Sequence, residues 1–277
     1  MKTTKHLNVQ SPARLALTAI AAIALGTSAA IAGTTTSGKS GKTPEPVAPP
    51  ETPFVTGTLS LMVDTHFVSY GQDIWAAGNS WDDPLFHPML ELNFNLGGGF
   101  AFILGTWWDV NDNAPSSIAN KVQEVDVWSG FSYTVDKWKF TLLYQAWMYA
   151  EQTEQIVDLK VAYSDGFWNP YLMLHGRVAD EIPLDTGLVT QVGIGPSKTF
   201  GKVTLSLPLS VAFDTDGFHG GGSGFSFASA GASASYAFTK NISASVGVTY
   251  YHTSDSVIPS NPDDDFVTGS AGFTVTF

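Results

Sequence analysis

Apolar and polar side chains change places at every residue along the last stretch of the chain, 265–277. Val267, Gly269, Ala271, Phe273, Val275 and Phe277 fall on one face, and Thr268, Ser270, Gly272, Thr274 and Thr276 on the other. A period of two is that of a β-strand with a different environment on each side. The stretch 203–214 repeats it: Val203, Leu205, Leu207, Leu209, Val211 and Phe213 alternate with Thr204, Ser206, Pro208, Ser210, Ala212 and Asp214. In 138–150, Trp138, Phe140, Leu142, Tyr144, Ala146 and Met148 share a face. Lys139, Thr141, Gln145 and Tyr149 lie opposite, diluted by Leu143 and Trp147.

Twelve such runs follow one another: 55–67, 85–96, 100–110, 122–135, 138–150, 154–164, 171–180, 188–200, 203–214, 225–238, 242–253 and 265–277. The connections alternate in kind. Those near residues 98, 137, 168, 201 and 240 are tight; the others are mostly longer and rich in Asp, Asn, Gly and Pro. Short turns at one end and long loops at the other are the plan of membrane β-barrels. A soluble sandwich also alternates, but its strands tend to be shorter. A tilted strand crosses a bilayer in about 9–11 residues, which these runs supply. The expected fold is all-β: a transmembrane antiparallel up-and-down β-barrel of about 12 strands. It would span 54–277, with apolar faces toward lipid and both ends of the barrel segment in the periplasm.

The first 32 residues read as a secretory signal. Lys2, Lys5 and Arg14 precede or open an apolar core at 15–25, and Ala30-Ile31-Ala32 offers small residues for cleavage after Ala32. That core is too short to cross a bilayer of about 30 Å as a helix. Residues 33–53 read as a flexible periplasmic linker, rich in Thr, Ser and Gly and then carrying five prolines.

Composition narrows the partners. There is no Cys, so an exported fold here does not rest on disulfides. Removing the signal takes three of the 13 bases and none of the 25 acids, leaving a net charge of −15. That excludes nucleic acid as a partner. Only 14% of residues are charged, against roughly 25% in soluble domains. Few charges, 13% aromatics and 27 glycines suit a sheet whose outer face meets lipid. Trp75, Trp81, Trp107, Trp108, Tyr149, Tyr250 and Tyr251 near loop ends, with Trp138, Trp168 and Phe200 beside tight turns, fit interfacial girdles.

The polar faces then line a lumen. The candidates are Asp64, His66, Glu91, Asn93, Glu124, Asp126, Lys139, Asp158, Lys160, His175 and Arg177. The last strands offer mainly Ser, Thr, Gly and Ala, so one wall is ionic and the other small. Such a lumen would filter small polar solutes or ions; a salt-bridge network filling the bore is the other reading. Asp73, Asp82, Asp83, Asp109, Asp112, Asp214, Asp216 and 263–265 read as solvated loop charge, since none matches a calcium loop.

No catalytic, cofactor-binding or metal-binding residue is assigned. There is no G-x-S-x-G elbow, no H-E-x-x-H and no phosphate loop, and His252-Thr253-Ser254 is proximity in sequence only.

Residues 59–73, LSLMVDTHFVSYGQD, and 124–133, EVDVWSGFSY, resemble the TorF-type porin family, as does the hairpin beginning at 154–163. That family often has Arg-Gly where this chain has Ser69-Tyr70-Gly71. The resemblance implies a bacterial outer-membrane channel and supplies no catalytic residues. The expected function is passive diffusion of small solutes, without a cofactor. The expected partners are outer-membrane lipid and the barrel-assembly machinery, the latter through the strand ending at Phe277. A structural or adhesion barrel with a plugged lumen, or a lipid hydrolase, are the alternatives.

Overall fold

The computed structural model describes residues 53–75, 81–114, 118–149, 151–179, 182, 184–215 and 217–277. The signal, 1–32, and all of the linker except Pro53 lie outside the described residues.

The strands are β1 (Val55–Asp64), β2 (Val68–Ser69), β3 (Gln72–Asp73), β4 (Leu85–Gly97), β5 (Phe100–Val110), β6 (Val122–Val135), β7 (Trp138–Met148) and β8 (Thr153–Tyr163). After them come β9 (Tyr171–Arg177), β10 (Gly187–Ile194), β11 (Ser197–Phe200), β12 (Val203–Ser206), β13 (Leu209–Asp214), β14 (Gly224–Ala237), β15 (Ile242–Thr253) and β16 (Asp265–Thr276). All but β2 and β3 belong to one antiparallel sheet that closes on itself. Each strand pairs with the next around the ring, and β16 returns to β1 with Thr58 opposite Thr276 and Asp64 opposite Ser270. β10 and β11 form one stave, and β12 and β13 another, which makes twelve staves. Closure leaves no free sheet edge, the condition lipid imposes on any spanning sheet.

Prolines mark the irregular places because they lack an N–H. The two divided staves break at Pro196 and Pro208. Their carbonyls still accept, from Leu207 N at 2.9 Å and Gly231 N at 2.8 Å. At Pro88 the β4–β5 ladder steps from Phe86 opposite Val110 to Met89 opposite Trp107. The β4–β5 turn uses Gly97, Gly98 and Gly99 at φ of 82°, 61° and 86°, a region that disfavours side chains.

The register sorts the faces. Leu61, Phe131, Leu142, Leu159, Leu205, Val248, Val267 and Phe273 stand exposed on the outside. Trp108, Trp138, Trp168, Phe200 and Tyr250 are exposed too, toward the ends of the wall. Trp81 lies over Gly269, on the outward face of β16. The ring of Phe277 covers Gly57, and their backbones exchange hydrogen bonds of 2.8 and 3.0 Å.

Three runs stop short of the sequence expectation. β1 ends at Asp64, β7 at Met148 and β9 at Arg177. After β1 the chain turns over the loop end of the barrel, where Phe67 and Tyr70 are buried; after β9, Val178 N still donates to Gln155 O at 2.9 Å.

Candidate functional site: the barrel interior

The inward face at the loop end is filled. Two clusters of buried side chains occupy it. In one, Phe67 from the first loop packs on Leu85, Met89, Ile103, Trp107 and Trp128 of β4–β6, with Ile74 and Trp75 against them. In the other, Tyr70, Ile182 and Phe218 from three different loops pack on Trp147, Ile156, Met173, Val189, Ala212 and Phe227 of the wall. Trp75, Trp107, Tyr149 and Tyr251, read from sequence as girdle residues, therefore belong to the interior. Their ring area is buried against neighbouring loops and strands, which an interfacial position would not provide. Trp75 Nε1 donates to Asp109 at 2.7 Å and Tyr149 OH to Glu124 at 3.3 Å.

Among these apolar groups sit paired ions. His87 on β4 faces Asp64 Oδ2 at 2.7 Å through Nδ1 and Asp109 Oδ1 at 3.2 Å through Nε2. A ring protonated at both nitrogens donates to both. Asn111 Nδ2 reaches Asp109 at 2.8 and 2.9 Å. On the far wall His175 Nδ1 contacts Asp158 Oδ1, and Gln145 Nε2 holds the other Asp158 oxygen at 2.6 Å. Arg177 Nε donates to Glu154 at 2.5 Å, and its Nη1 donates to the carbonyls of Asp185 and Phe218 at 3.0 and 2.7 Å. The guanidinium lies 4.2 Å from the Phe218 ring centroid. One arginine thus ties two loops to the wall. His219 and Asp214 form a further buried pair.

The sequence places Asp73, Asp109 and Asp214 among solvated loop charges, and the structure corrects that. They are buried, at 6%, 0% and 5% exposure. Their side chains point into the barrel mouth, where histidine, tryptophan or loop backbone meets them. Asp82, Asp83, Asp112 and 263–265 are exposed as expected, and Asp216 lies outside the described residues.

The turn end of the interior differs. There the inward side chains are mostly half-buried. Glu91 accepts from Asn93 at 3.2 Å and from Trp128 Nε1 at 3.2 Å. Lys139 and Lys160 follow on β7 and β8, the Lys160 ammonium 4.8 Å from the Tyr171 centroid. Gln191 Nε2 bridges Tyr171 OH and Ser210 Oγ, each at 3.0 Å. The opposite wall presents Ser233, Ser235, Ser245, Gly247, Ser270 and Gly272.

Of the sequence candidates, Asp64, Glu124, Asp126, Asp158, His175 and Arg177 lie in the filled half. Glu91, Asn93, Lys139 and Lys160 lie in the half-buried one. His66 lies beyond β1 in the first loop, with Nδ1 2.8 Å from Thr65 Oγ1 and Nε2 3.6 Å from Asp73. Sequence reading missed His87, Glu154, Asp214, His219, Tyr70 and Asn261. His87 was within reach, because Leu85, His87, Met89 and Glu91 share one face of β4.

No family model matches the chain, and no curated protein matches it in sequence. Similar solved structures include the KdgM porin, 11% identical with a TM-score of 0.48, covering 79% of this chain and 99% of that one. The NanC porin is 11% identical at 0.46, covering 79% and 98%. Outer membrane phospholipase A from Escherichia coli is 14% identical at 0.46, covering 79% and 89%. The barrel itself rests on the strand pairings of this chain.

Proposed function

We propose that the chain is a porin-like channel of the bacterial outer membrane, closed at its loop end by its own loops. One observation carries this reading. The turn-end half of the lumen is lined by half-buried polar and ionic side chains, with Glu91, Lys139 and Lys160 facing a wall of Ser, Thr and Gly. A barrel kept only as a scaffold has no need of half-buried ionic side chains on its inward face. The resemblance of 59–73 and 124–133 to TorF-type porins supports the same reading. Small polar solutes or ions are the cargo that such a lining would pass. The turn end then faces the periplasm, the signal 1–32 is removed after Ala32, and Phe277 marks the last strand for barrel assembly.

The buried loop-end clusters favour a second reading, a structural barrel with a permanent plug. Planar-bilayer conductance separates the two. The refolded protein is compared with a variant in which both 68–73 and 217–222 are replaced by short Gly-Ser links. Conductance steps from the trimmed barrel support a channel. A folded, trimmed barrel that leaves the bilayer silent overturns it.

A further inference from the structure

The first loop carries a small hairpin, β2–β3, that shares no backbone ladder with the strands of the barrel sheet. Its ladder is two pairs long, Val68 with Asp73 and Ser69 with Gln72. Tyr70 and Gly71 form the tip, at φ of 44° and 89°. A two-residue hairpin turn of this hand places both central residues in the left-handed region. Tyrosine is uncommon there, so something beyond the turn holds it.

What holds it is the wall. The Tyr70 hydroxyl meets His175 Nδ1, the nitrogen that also faces Asp158. The Tyr70 and His175 rings lie 3.6 Å apart, and Trp147 stacks on His175 at 5.1 Å and 22°. Gly71 sits against the Phe227 ring, where a Cβ would come within 2.6 Å. Asn261 in the last loop supplies the remaining tie. Its Oδ1 accepts from Asp73 N at 2.9 Å, and its Nδ2 donates to Gly71 O at 2.9 Å.

The docking is incompletely satisfied. Ser69 Oγ, Gln72 Oε1 and Asp73 Oδ1 are buried with no hydrogen-bond partner among the described residues. Each recovers a water partner if the hairpin leaves, which weakens the docked state. The segment is hydrogen-bonded by side chains from two places, His175 and Asn261, and packs on Phe227 and Trp147, with unpaired polar atoms opposing that hold. The wall it covers keeps its own pairs, because Asp158 retains His175 and Gln145.

We propose that hairpin 68–73 is a displaceable plug, latched by Tyr70 on His175 and by Asn261, and that its departure opens the loop end of the lumen. This rests on the channel reading. The test is single-channel recording of the full chain, Tyr70→Phe, Tyr70→Ala, Asn261→Ala and a variant with 68–73 replaced by Gly-Gly. Folding of each is checked by resistance to heat-induced mobility shift on gels. Tyr70→Phe keeps the ring and removes one buried hydrogen bond, so open probability rises about tenfold. Tyr70→Ala and the replacement raise it further. If all four variants match the parent while the doubly trimmed barrel conducts, the plug is wrong and the channel stands. If the doubly trimmed barrel is silent as well, the channel reading falls first.

Discussion

Tyr70, at the tip of the first loop, hydrogen-bonds His175 on β9, 105 residues further along the chain. The contact joins a loop to a strand of the barrel wall. Loop residues are positioned here by the barrel, as binding loops are by other scaffolds.

The Arg177–Glu154 pair is fully buried on both sides. Removing one partner leaves an uncompensated charge, so Glu154→Leu destabilises the barrel by about 3–5 kcal/mol. Glu154→Leu combined with Arg177→Met costs less than either single change. Urea midpoints from gel-shift unfolding give the comparison, and a double variant no better than the singles refutes it.

Neighbouring residues on β15 test the register. Val248 is 56% exposed on the outer face, and Thr249 beside it faces inward opposite Gly231 and Thr268. Val248→Arg puts a cation in lipid and destabilises by about 2–4 kcal/mol if it sits near the midplane. Thr249→Arg is tolerated far better. Unfolding in lipid vesicles reads the difference, and equal losses would reject the assignment of faces.

These two faces were legible in the sequence because alternation reports pairing geometry directly. The filled mouth was not. Asp109 and Asp214 look like loop acids in one dimension, and their partners His87 and His219 come from contacts that no periodicity encodes. Tyr70 is harder still, since its partner lies on the far wall. Even so, the inward placement of His87 follows from its face of β4, shared with Leu85, Met89 and Glu91.

Gly105 lies under the Trp128 indole, and a Cβ there would approach the ring to 2.2 Å. Gly105→Ala overpacks this layer and destabilises by about 1–3 kcal/mol. Trp128→Leu in the same chain relieves the clash and recovers part of the loss. Denaturation midpoints of the two singles and the double decide it; strict additivity would show that the ring does not rest on Gly105.

Asp73 gives the plug a pH response. Burial raises its carboxyl from 3.8 to about 7, and burial lowers the nearby His66. A raised acid favours the docked loop in its protonated form, so that contribution is full below 3.8 and is lost as pH rises through about 7. Hydrogen exchange across 66–74, corrected for intrinsic rate, should therefore quicken as pH rises from about 4 to about 7 and level off above. Asp73→Asn should flatten the curve, and a parent protein with no such rise would contradict the assignment.

The seam between β1 and β16 carries a kinetic consequence. Every other wall contact joins strands that are near neighbours along the chain, whereas Thr58 must find Thr276 across the whole barrel. Loop-closure entropy falls on that one encounter, which no local hairpin can prepay. Ring completion is then the last event of assembly, and until it happens the sheet presents two live edges, one at each end of the barrel segment. Shelter of those two edges is needed only until the backbone of Gly57 takes up that of Phe277.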